Sequence, residues 1–152
     1  AVFMTDLKPL DPDYEARVRA SFARQKLMSS IKAEMTEIAP GRVVIEMPFD
    51  ENFTQQNGFV HAGVITAIVD SACGYAAYSL MPADSDVLSV EYKVNFLAPA
   101  KGDRFTARGQ VVRSGRTITV CEGEVTAVTE KKETVIAVML ATMISLKKSP
   151  AG

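Results

Sequence analysis

The chain from Phe59 to Met81, FVHAGVITAIVDSACGYAAYSLM, is apolar, rich in small residues and free of proline. Its length and pattern predict one long helix. Asp70 is the single carboxylate in the middle of that stretch. Gly63 and Gly74 stand where a bulkier side chain would hold a neighbouring backbone away. A carboxylate in apolar surroundings is costly to bury unless it is paired or hydrogen-bonded. Asp70 therefore marks either a reaction site or a satisfied structural group. The stretch is long enough to span a bilayer. Against a span, His61 and Asp70 interrupt it, no basic flank precedes it, and amphipathic strands follow.

A chain of 152 residues can build one ordinary domain with a real core, and residues 1–152 read as one domain. Hydrophobic residues at 47% and charged residues at 23% are those of a globular protein. The net charge of -1 gives no basic excess for nucleic acid or for an anionic membrane. Cys73 and Cys121 lie far apart, inside apolar segments, and no signal peptide is apparent. Two reduced thiols in a cytoplasmic protein are expected. His61 is the sole histidine, which excludes a His-rich metal site.

The remaining chain reads in order. Residues 1–11 form an extended arm, and Asp11 before Pro12 is a helix start signal. The run PDYEARVRASFARQKLMSS is a short amphipathic helix, so arm and helix occupy about residues 1–28. Ile31 to Ile38 alternates at strand period, Pro40-Gly41 is a turn, and Arg42 to Phe49 completes a hairpin. Asp50 to Gly58 is a polar loop before the long helix. From Val87 to Phe96, strict alternation puts Val87, Ser89, Glu91, Lys93 and Asn95 on one side. It puts Leu88, Val90, Tyr92, Val94 and Phe96 on the other. Arg104 to Arg113 and Thr117 to Val128 are strands joined at Ser114-Gly115. Thr134 to Lys147 is a last, apolar strand. Without βαβ alternation, this order indicates an α+β domain with an antiparallel sheet, its core within about residues 30–147.

The segment QQNGFVHAGVITAIVDSACGYAA resembles the hotdog-fold acyl-CoA thioesterases of the phenylacetate-pathway type. The matching positions are Gln55, Gly58, Phe59-Val60, His61-Ala62-Gly63 and Asp70, with Ala62 where the pattern usually has glycine. SVEYKVNFLAPAKGD resembles the family's following strand and turn, and VVRSGRTITV its basic hairpin. The resemblance implies a curved antiparallel sheet wrapped around the central helix, dimers joined sheet edge to sheet edge, and often a dimer of dimers. It also implies acyl-CoA as substrate, with coenzyme A part of that substrate and no metal or organic cofactor. In that frame the amides of Ala62 and Gly63, at a helix N-terminus, are candidate donors to an oxyanion. Asp70 is the candidate nucleophile or general base. Gln55, His61 and Ser89 are candidate supporting residues. Asn57, Gly58, Phe59 and Val60 are candidates for contacting substrate, and Arg113, Ser114, Gly115 and Arg116 for the CoA phosphates. Phe59, Tyr75, Tyr78, Met81 and the partner's Phe96 are candidate walls of an acyl pocket.

Spacing adds a constraint. Gly63 and Asp70 are seven residues apart, about 10 Å along a helix. One helix cannot bring its own N-terminus and its own Asp70 to one carbonyl. Two antiparallel copies related by a two-fold axis can, so a homodimer with composite sites is expected. Competing readings are a non-catalytic acyl-CoA-binding module and a hotdog hydratase or dehydratase.

Overall fold

The computed structural model describes residues 7–150. Helices α1 (Tyr14–Ala23) and α2 (Lys26–Ser30) precede a hairpin of β1 (Glu34–Ala39) and β2 (Arg42–Pro48). A 3-10 turn, Glu51–Phe53, leads into α3 (Ala62–Tyr78). Four strands follow: β3 (Ser85–Phe96), β4 (Arg104–Ser114), β5 (Ile118–Val128) and β6 (Glu133–Lys147). Among the described residues they form one antiparallel sheet in the order β1-β2-β4-β5-β6-β3. This is the hotdog fold, a curved sheet wrapped around the long helix, as the sequence predicts.

The apolar face of α3 drives the packing. Ile65, Ile68, Val69, Ala72, Cys73 and Ala76 are all at most 1% exposed against the sheet. The tightest approach comes from the sheet. Gly109 of β4 and Gly123 of β5 are direct partners in register. A Cβ at Gly109 would stand 2.3 Å from the Ala72 carbonyl carbon, and one at Gly123 would stand 2.6 Å from a Val69 methyl. The two glycines remove side chains where the helix backbone crosses the sheet. At Gly74, expected to serve close packing, nothing among the described residues beyond its own stretch of helix lies within 4 Å of an added Cβ. Ala77 is fully buried in the core.

Several boundaries differ from the sequence reading. The long helix begins at Ala62, because Val60 is bridged to Thr54 and His61 caps the first turn. The first helix is two, broken where Gln25 is extended. Asp11 sits in the turn before α1, its carboxylate accepting from the Asp13 amide and pairing with Arg17 at 2.9 Å. Arg17 also donates to the carbonyls of Tyr78, Met81 and Pro82 and lies over the Tyr78 ring, fastening α1 to the C-terminal end of α3. Ile31 and Ala33 are buried but precede β1, since Lys32 adopts a φ of 57°. The first six residues of the expected arm lie outside the described residues.

The largest correction concerns β3. Its pairing with β6 slips between Ser89 and Glu91, so that Val90 is an extra residue. The bulge breaks the strict alternation, and Ser89 and Tyr92 come to face the same side, toward α3. β3 is also a sheet edge, and Val90, Tyr92 and Phe96 are 55%, 44% and 49% exposed along it.

The glycine contrast predicts opposite effects. Gly109→Ala costs about 1–3 kcal/mol, because the backbone of α3 must be pushed off the sheet. Gly74→Ala, in an open helical position, adds roughly 0.5–1 kcal/mol. Denaturant unfolding of both variants checks the pair; equal effects would contradict this packing.

Candidate active site

Asp70 lies in the middle of α3, half-buried, on the side that faces β3 rather than the core. Its Oδ1 accepts a hydrogen bond from the Ser89 hydroxyl at 2.7 Å. Ser89 lies on the same face of β3 as Val87, which packs against the core, and the bulge brings Tyr92 and Val94 onto that face. Burial pushes the Asp70 carboxyl above its ordinary range, and the Ser89 bond works in the opposite direction. Oδ2 remains for a water or a carbonyl carbon.

A groove runs from Asp70 back to the start of α3. It is lined by Ala62, Gly63, Thr66 and Ala67 on the helix and by Tyr92 and Phe96 on β3. At its head, His61 caps the helix: its Nδ1 accepts from the Gly63 amide at 2.8 Å. The Gly63 donor is thus engaged within the chain. Ala62, the first helical residue, has no intrahelical acceptor for its amide and is exposed. Of the two amides singled out in the sequence, Ala62 carries the available donor.

Gln55 organises the loop before the helix. Its Oε1 accepts from the amides of Asn57 and Phe59, and its own amide donates to the Phe59 carbonyl at 2.8 Å. Gly58 closes this turn with a φ of 83°, which a side chain would resist. The Nε2 of Gln55 remains as a donor. Gln55, Phe59, Val60 and Ala62 line a second, mostly apolar cavity of about 460 Å³ that Phe96 also borders. Asn57 is an exposed turn residue.

Arg113, Ser114, Gly115 and Arg116 form the exposed end of the β4–β5 hairpin, closed by the Gly115 amide on the Ile118 carbonyl at 2.9 Å. None of them lines either of two cavities that border Asp70 among the described residues. Cys73 and Cys121 are free and buried, and burial pushes both thiols up, Cys121 to about 12. Neither is poised as a thiolate nucleophile. Among the described residues, no group of three His, Cys, Asp or Glu side chains is placed to hold a metal ion. No helix among them is long and apolar enough to cross a membrane.

On its other side Asp70 borders a third cavity, of about 500 Å³, between α1, α3 and the ends of β3 and β6. Tyr75 and Tyr78, expected pocket walls, line it, whereas Met81 is buried elsewhere in the core. Ser21, Gln25 and Ser71 also line it. These three were not singled out in the sequence. α1 lies some fifty residues upstream, and nothing in its pattern announces what it covers.

The thioesterase superfamily model matches residues 57–134, and the chain belongs to that family. The family defines a hydrolase. A solved thioesterase family protein from Silicibacter pomeroyi is 49% identical, covers 88% of this chain and 98% of its own, and superposes with a TM-score of 0.87. The E. coli PaaI protein of the phenylacetic acid degradation operon shares the fold at 18% identity, with a TM-score of 0.80 over 90% of this chain and 96% of its own. A 1,4-dihydroxy-2-naphthoyl-CoA hydrolase of Listeria monocytogenes is 27% identical over 69% of this chain and 85% of its own.

The raised carboxyl of Asp70 gives a signed prediction. The folded state holds that proton to higher pH than the unfolded chain does. Its contribution to stability is present at pH below the ordinary carboxylate range and is lost as pH rises through the raised value. Ser89→Ala removes the opposing hydrogen bond and moves the titration further up. Carboxyl-carbon NMR of Asp70 in both proteins reads this directly; an unmoved or lowered titration would contradict it.

Proposed function

We propose that the protein hydrolyses acyl-CoA thioesters, with Asp70 as nucleophile or as general base for water. The observation that carries this reading is the half-buried carboxylate of Asp70, fixed by Ser89, at the end of a groove that begins at an unengaged helix-terminal amide. As general base, Asp70 takes a proton from water while the water oxygen bonds to the thioester carbon. The carbonyl oxygen becomes an oxyanion, held by the Ala62 amide and supported by Gln55 Nε2 and the positive end of α3. Collapse of that intermediate breaks the carbon–sulfur bond, and the CoA thiolate leaves and takes up the proton.

Within one chain, Ala62 and Asp70 are too far apart along α3 for this. The reaction is therefore assigned to a dimer, each site using the helix start of one subunit and the Asp70 of the other. The free edge of β3 supports that assembly. A twelve-residue edge carrying exposed Val90, Tyr92 and Phe96 invites pairing with another strand. A second copy, sheet edge to sheet edge, covers it and brings the two α3 helices side by side. His61 holds the helix start, and the Arg113–Arg116 hairpin offers guanidiniums to the CoA phosphates. The named CoA-thioester hydrolase among the relatives agrees with the substrate class.

CoA release from a panel of aryl and aliphatic acyl-CoAs, run beside Asp70→Asn, tests the reading. The substitution should lower kcat at least ~100-fold while acyl-CoA binding survives. Removing the half-buried charge should also leave the variant as stable as the unmodified protein at neutral pH, or more so. Binding without turnover in the unmodified protein would instead favour an acyl-CoA-binding module.

A further inference from the structure

The cavity between α1 and α3 contains polar groups that the reaction above does not use. Ser71 Oγ donates to Gln25 Oε1 at 3.4 Å, Gln25 Nε2 donates to Tyr75 Oη at 3.0 Å, and Tyr75 Oη lies 3.1 Å from Ser21 Oγ. The Tyr75 side chain is only 4% exposed and is wedged by Phe22, edge-on at 5.9 Å, and by Tyr78 at 6.2 Å. Its oxygen is therefore held in place. The network opens onto the same cavity as Asp70, Ser89 and Met143.

Hydrogen accounting shows what the network lacks. Gln25 has two amide hydrogens and gives one to Tyr75. Tyr75 and Ser21 have two hydroxyl hydrogens and need one between them. Among the described residues, one amide and one hydroxyl hydrogen remain without an acceptor, together with free lone pairs on the hydroxyls. A tail that fills the cavity and drives out water without offering oxygen would leave these groups unpaired, which is costly. The charges at the mouth, Arg24, Asp86 and Lys147, are of mixed sign and do not select an ionic tail.

The helix sets the depth. Tyr75 lies five residues beyond Asp70, about 7.5 Å along α3. Gly74 lies between them on the cavity wall, and among the described residues nothing beyond its own stretch of helix comes within 4 Å of where its Cβ would be. Unlike Gly109 and Gly123, it makes no close backbone contact that requires a glycine, and its absent side chain leaves room in the cavity.

We infer that this cavity is the acyl pocket and that Tyr75, Gln25 and Ser21 are specificity residues selecting acyl groups with a distal hydroxyl or carbonyl oxygen. The acyl group is about one aromatic ring, or an aliphatic chain of equal length, deep. The inference rests on the hydrolase reading for its reaction, but not for its binding test.

ε-Hydroxycaproyl-CoA and heptanoyl-CoA differ only by a hydroxyl in place of a terminal methyl. kcat/KM is measured for both with the unmodified protein, Tyr75→Phe, Gln25→Leu and Ser21→Ala. Kd for both is measured on Asp70→Asn. The unmodified protein should favour the hydroxylated tail by about tenfold in kcat/KM, and Asp70→Asn by a similar factor in Kd. In the three variants the ratio should collapse toward one. Ser21→Ala, at a half-exposed helical position, serves if Tyr75→Phe folds poorly. Equal use of the two tails, or a preference that survives in every folded variant, overturns the inference. Absence of hydrolysis overturns the reaction instead; the Kd ratio on Asp70→Asn then still decides the pocket.

Discussion

The structure depends on how closely α3 lies against the sheet. That closeness comes from two strand positions without side chains, Gly109 and Gly123, paired across β4 and β5. With the helix seated there, its fully apolar face is consumed by the core. Every other α3 residue is then assigned by the 3.6-residue period. Asp70 falls on the side toward β3, half in and half out of the protein. The position of the carboxylate is thus a consequence of core packing, not of any loop.

Two local irregularities shape the candidate site around that position. The bulge at Val90 sets Tyr92 on the same side as Ser89, which holds Asp70, and His61 takes the Gly63 amide and sharpens the start of the helix. The carboxylate and the remaining helix-start amide, of Ala62, are each well held, but at opposite ends of a groove about 12 Å long. In the proposed reaction a single chain supplies two halves of a centre. The exposed edge strand along that groove is the surface through which we propose a second copy completes it.

Much of this was legible in the sequence because it follows from periodicity. The long helix, its buried face, the α+β order of elements and the isolated carboxylate all come from residue spacing. The motif from Gln55 to Asp70 pointed to the same segment. What was not legible arises where tertiary contacts override local pattern. Strict alternation put Ser89 and Tyr92 on opposite sides, and one inserted residue reversed that. Gly74 looked like a packing glycine, yet the packing glycines are on the strands, because only the three-dimensional crossing shows which backbone is approached. The polar lining contributed by Ser21 and Gln25 was equally hidden, since α1 meets α3 only through the fold.

The central claim is that one active centre draws Ala62 from one subunit and Asp70 from the other. Ala62→Pro removes the amide while respecting the helix, since proline suits the first helical position and His61, at φ -59° and ψ 135°, already has the conformation a following proline requires. The decisive measurement is acyl-CoA hydrolysis by Ala62→Pro and Asp70→Asn proteins, each alone and after subunits are exchanged between them. Each alone should be nearly inactive. A hybrid dimer holds one doubly altered site and one intact site, so random exchange should restore about a quarter of the unmodified activity. Failure of the exchanged mixture to regain activity, with hybrid dimers shown to be present, would contradict the account.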